Sequence, residues 1–158
     1  MGQKTTVQYR DGPYFWAYDV PMGVFLRFLI LRARKVDPVP NWLEHEIGIW
    51  EMVIDVNEYG LNFDPNSTWT SSRHEQILQL VQATCGEIGE HESFSADEMC
   101  SWEHPVDPRS HEYLPSKPVL DFGIAVRELL QESLPTPPKG TLWFLSSKGR
   151  EAVEVRHP

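Results

Sequence analysis

The sequence predicts an α+β fold: a single domain over residues 1–158, with an antiparallel sheet built from N- and C-terminal hairpins and packed on three or four helices. Three observations predict it. Alternating, aromatic-rich segments broken by turn residues stand at both ends of the chain. Helical periodicities with capping residues fill the middle. Strands and helices are grouped along the chain and do not alternate one by one. A chain of 158 residues with 41% apolar and 11% aromatic content can bury one core without disulfides, and this composition excludes a disordered chain.

Val7-Gln8-Tyr9-Arg10 alternates apolar with polar, Asp11-Gly12 supplies a turn, and the stretch from Tyr14 to Val20 returns as a second strand. Residues 24–35 fit two elements. Their leucines and arginines favour helix, whereas entry through Val20-Pro21-Met22-Gly23 suits a turn into a third strand. Helix is the preferred reading, stopped by Pro38 and Pro40.

Asn41 can cap a helix from Trp42, with Glu44 placed as in a capping box; Leu43, Ile47, Trp50 and Ile54 then share one face. Ser72-Arg73-His74-Glu75 is a fuller box, opening a helix with Ile77, Leu78, Val81 and Cys85 inward and Gly86 closing it. Ser95-Ala96-Asp97-Glu98 opens a short helix, flanked by a Phe94–Met99 staple and ended before Pro105. Residues 105–118 carry four prolines and read as an irregular connection. Pro118 suits the first turn of a helix whose apolar face is Val119, Phe122, Val126, Leu129 and Leu130, stopped by Pro135, Pro137 and Pro138. Thr141 to Ser146 and Ala152 to Arg156 close the fold as a hairpin around Lys148-Gly149. Trp50 and Trp143, in apolar settings, are expected in the core.

The formal net charge of −9 is unevenly spread. Residues 1–40 carry +3, 41–85 carry −6, 86–112 carry −7 with eight acids against Arg109 alone, and 113–158 carry +1. Such a balance opposes phosphate binding, and the basic strip Arg27, Arg32, Arg34 and Lys35 projects at differing angles around a helix, as snorkelling side chains do. No nucleic-acid partner is expected. No apolar run reaches the roughly 20 residues of a membrane span, and no basic leader with a cleavage site is visible. Cys85 and Cys100 form no disulfide framework, so a cytoplasmic location is expected.

Motifs of catalysis are absent: there is no H-E-x-x-H, G-x-S-x-G, P-loop or G-x-G-x-x-G. Five of the six histidines adjoin a glutamate, but sequence neighbours do not face one another on a helix or strand. His91, Cys100, His104 and His111 are zinc-ligand types at irregular spacing, without a C-x-x-C pair. Asp55-x-Asn57-x-Tyr59-Gly60 copies the start of a calcium loop, yet Tyr59 offers no suitable ligand and Asn66 stands where a bidentate glutamate should close it. No metal and no cofactor is therefore expected.

The reading that survives is a binding protein: an acidic module that neutralises a basic partner protein, such as an immunity protein or antitoxin inhibiting a toxin enzyme. Glu87, Glu90, Glu92, Asp97, Glu98 and Glu103 would steer association and occupy cationic pockets, with Trp102 as the apolar anchor. The alternative is a metal-dependent enzyme using the His/Glu-rich segment 91–112.

Overall fold

A computed structural model describes residues 3–56, 60–106 and 113–155. Strands β1 (Lys4–Tyr9) and β2 (Tyr14–Tyr18) form the expected hairpin, with Lys4 opposite Tyr18 and Gln8 opposite Tyr14. Their alternation buries Val7, Tyr9, Phe15 and Ala17 on one face. Helix α1 (Asp19–Arg34) settles the ambiguity of residues 24–35 and begins earlier than expected. Pro21 lies in its first turn, where the missing N–H costs nothing, so the presumed turn is a helix start. The Asp19 side chain, close to this positive helix end, accepts a hydrogen bond from the Gln3 amide at 3.0 Å.

Helix α2 (Asn41–Val56) buries Leu43, Ile47, Trp50 and Val53. Gly60 then brings the chain tight against β1: a Cβ there would stand 2.3 Å from Thr6 Oγ1. Glycine serves this approach, and Asn57 and Tyr59 of the calcium-like pattern lie outside the described residues. Strand β3 (Leu61–Phe63) pairs parallel with β1. Helix α3 (Ser71–Gly89) is capped by Thr70, whose hydroxyl accepts from the Arg73 amide at 3.2 Å, slightly ahead of the Ser72 box. The helix also continues past Gly86, which faces solvent and breaks nothing.

Strand β4 (Ser93–Ser95) leads into α4 (Ala96–Ser101), capped as expected by Ser95 accepting from Glu98 N at 3.1 Å. Phe94 and Met99 are both buried. Strand β5 (Tyr113–Pro115) pairs antiparallel with β4 and feeds α5 (Ser116–Leu130), with Pro118 in its first turn and Val119, Phe122, Val126, Leu129 and Leu130 buried. Strands β6 (Thr141–Ser146) and β7 (Gly149–Glu154) close the chain as a hairpin.

The architecture is α+β, with the two terminal hairpins in one sheet packed on helices. The strand order is β3-β1-β2-β6-β7, and β2 meets β6 in parallel, so the sheet is mixed. One core runs through it. Phe122 meets Phe15 edge-on at 6.1 Å and Phe25 at 5.4 Å, joining the sheet to α5 and α1. Beside it, a Cβ on Gly123 would lie 2.6 Å from Phe25 and 2.7 Å from the Cys85 sulfur, so α1, α3 and α5 meet at this glycine. Trp50 is buried, whereas Trp143 sits at the core margin, donating from Nε1 to the Pro135 carbonyl at 2.6 Å. Among the described residues, no helix is long and apolar enough to cross a membrane.

Candidate functional site

A cleft of about 260 Å³ opens between α1, the end of α3, and α4 with the residues that follow it. Its apolar part comes from Phe28, Ile30 and Leu31 of α1 and from Trp102. These rings form a packed cluster. Phe28 lies 5.7 Å from Trp102 edge-on and 5.4 Å from buried Phe94, and the His91 imidazole stands 5.0 Å from Phe94. Glu87, Glu98 and Glu103 also line the cleft, with His91, His104 and Arg27.

The far wall is lashed down from two helices. Arg27 donates to its own helix at the Gly23 carbonyl (2.7 Å) and reaches across to the carbonyls of His104 and of Pro105 (2.9 Å). Burial lowers the pKa of this guanidinium to about 10, which leaves it charged at neutral pH. From α2, Glu51 meets His104 Nε2 at 3.0 Å, and Asp55 stands 3.6 Å from Nδ1. His104 thus faces carboxylates distant in sequence, while its neighbour Glu103 points to the cleft and solvent.

Of the sequence candidates, Glu87, Glu98, Trp102 and Glu103 converge on this cleft. Glu90, Glu92 and Asp97 are exposed and do not line it. Glu87 is also paired with Arg32 at 3.0 Å, and Arg34 binds Glu51 at 2.9 Å. The basic strip of α1 is therefore spent on internal partners: Arg27 on carbonyls, Arg32 and Arg34 on acids. Residues that sequence reasoning overlooked are Phe28, Ile30 and Leu31, whose spacing reads only as an apolar helix face.

The zinc-type residues do not assemble among the described residues, where no group of three His, Cys, Asp or Glu side chains could hold a metal ion. His91 and His104 share the cleft, but Cys100 is exposed and its sulfur lies 3.9 Å from the Val106 carbonyl. Cys85 is buried, with its thiol pushed up to about 11 by that burial. His111 and Arg109 lie outside the described residues.

A second polar cluster surrounds Asp64, whose side chain is 1% exposed. The carboxylate accepts from Thr68 N (2.7 Å), Trp69 N (3.2 Å), Thr68 Oγ1 (3.1 Å) and Arg10 Nε (2.9 Å). Burial alone would raise its pKa; the bonds from Thr68, Arg10 and Trp69 outweigh burial and lower it. Nearby, Trp69 donates from Nε1 to Glu46 at 3.1 Å, and His74 Nε2 meets the Leu130 carbonyl at 2.8 Å. The Asp64 carboxylate is thus answered from within the chain on both oxygens.

No family model matches the sequence, and neither a curated protein nor a solved structure matches it, so the cleft's own chemistry carries the functional argument.

Proposed function

We propose that the cleft between α1 and α4 receives a basic side chain of a partner protein, and that the chain is an acidic binding or inhibitory module of the immunity-protein or antitoxin kind. One observation supports this above the rest: a single cleft is lined both by the apolar Phe28, Ile30, Leu31 and Trp102 and by the carboxylates Glu87, Glu98 and Glu103. Arginine and lysine have that same split, an apolar stem and a charged head. The Trp102 ring adds cation–π attraction at the point of entry. The volume of about 260 Å³ falls below the roughly 300–1,000 Å³ usual for small-molecule sites, which favours an inserted side chain over a substrate. Glu90, Glu92 and Asp97, exposed beyond the cleft, extend the negative field that would draw such a partner in.

The test is affinity capture with quantitative mass spectrometry, using the wild type, Trp102→Ala and a double Glu98→Gln, Glu103→Gln variant. A basic protein is expected with the wild type, depleted at least about tenfold by either variant and by raised salt. Thermal melts of the double variant should match the wild type, because neither glutamate makes an ion pair among the described residues. A partner held equally by all three proteins and indifferent to salt would refute the reading.

A further inference from the structure

The sheet ends on one side in β7 and on the other in β3, and the two edges differ in length, six residues against three. Which groups β7 presents outward follows from its pairing with β6. Along an antiparallel pair, residues alternate between exchanging hydrogen bonds with the neighbour and aiming them away from it. Val155 N bonds to the Gly140 carbonyl at 3.2 Å, so Gly149, Glu151 and Val153 turn their amides and carbonyls toward β6. Those of Arg150, Ala152 and Glu154 point outward in the plane of the sheet. Among the described residues, no strand or backbone group pairs with them. Ala152 and Glu154 are exposed. The side chains of these three residues lie on the helix side of the sheet, where the Arg150 guanidinium donates to Glu128 of α5 at 2.7 Å.

We propose that this edge takes a second copy of the chain: β7 pairs antiparallel with the partner's β7 about a two-fold axis through Ala152, and the two sheets become one. A strand meets its own copy in only a few registers, and charge separates them. Centred on Ala152, the register sets Arg150 opposite the partner's Glu154, and the two-fold repeats the pair. Centred on Arg150, Glu151 or Glu154, it sets a residue against its own charge. Centred on Val153, it brings no opposite charges together. The Ala152 register also gives all three outward residues a partner within β7, in about six hydrogen bonds. Arg150 keeps Glu128, so the partner's Glu154 joins an existing ion pair. Charge selects the register, and the open backbone groups supply the attraction. A contact one strand wide is small for a specific interface, so the dimer forms and dissociates reversibly.

Sedimentation velocity across the micromolar to millimolar range, with amide exchange on the same samples, tests this. The wild type is expected to shift from monomer to dimer as concentration rises, and exchange should slow in step at Arg150, Ala152 and Glu154. Ala152→Pro removes an outward amide that the fold itself does not use, so it should hold the protein as a monomer with its melting temperature nearly unchanged. Glu154→Lys, at an exposed position without an ion pair among the described residues, should weaken the dimer at least about tenfold, because the two-fold counts the change twice. A wild type that stays monomeric throughout overturns the proposal. So does a dimer that survives either variant at full strength, or one whose formation leaves exchange at Ala152 unaltered, which would place the contact elsewhere.

Discussion

Around Asp64 and around Trp102 the chain sets carboxylates beside aromatic rings, with opposite consequences. Asp64 is nearly inaccessible and meets two backbone amides, a hydroxyl and a guanidinium. Glu98 and Glu103 line a cleft together with the packed Phe28 and Trp102 rings. A satisfied carboxylate inside a fold holds that fold, because a group removed from water must recover its hydrogen bonds. A carboxylate lining an apolar cleft keeps both its hydration and its capacity for a new partner. Proximity of acids to rings therefore does not distinguish structure from recognition; internal satisfaction does.

The sharpest way to break this comparison is Asp64→Asn. An amide can accept some of the same bonds but loses the charge opposite Arg10 and turns an NH₂ toward backbone donors. The expected loss is about 3 kcal/mol, read by denaturant unfolding. The pH dependence follows from the lowered pKa of Asp64. Its stabilisation is present above the ordinary carboxylate range and disappears as pH falls through the lower folded value, so wild type and variant converge in strong acid. A variant as stable as wild type at neutral pH would show that the Asp64 network contributes little.

The equivalent substitution on the other side is Arg27→Leu. It removes the donor that spans from α1 to the His104 and Pro105 carbonyls. Those carbonyls can turn to water, which limits the cost to about 1–2 kcal/mol. Amide exchange should quicken at residues 102–106 and stay unchanged around Thr68 and Trp69. Equal acceleration in both regions would mean that Arg27 supports the whole fold and not the cleft wall.

The two regions also differ in how far they could be read from the sequence. Local signals were legible: the Ser95 cap, the apolar face of α5 and both hairpins rest on contacts between near neighbours. Strands β3, β4 and β5 were not, because three residues are too few to establish a period of two. Gly86 misled for a related reason: a glycine after an apolar face resembles a C-cap unless the following turn is known to pack, and Ile88 is buried. At the cleft, the acids and Trp102 stood out by composition. Their setting did not, since Phe28 meets Trp102 and Arg32 meets Glu87 across long stretches of chain. The run of His–Glu neighbours carried no pairing, as adjacent residues do not face one another: His104 takes Glu51 and Asp55, distant in sequence, as partners.

Glu46 provides the subtlest test, because it belongs to the Asp64 side in space but resembles the cleft acids in being poorly compensated. Burial raises its pKa, and the hydrogen bond from Trp69 and the nearby His45 only partly offset that. A carboxyl whose folded pKa is raised favours the folded state while protonated and loses that contribution as pH rises through the folded value. Glu46→Gln keeps an oxygen to accept from Trp69 Nε1 and removes the buried charge. The variant should match wild type in acid and become more stable at neutral pH by up to about 1 kcal/mol. Unfolding curves across that range read the difference directly. If Glu46→Gln instead destabilises at neutral pH, the carboxylate is held by its surroundings as firmly as Asp64, and internal satisfaction extends to the whole cluster around Trp69.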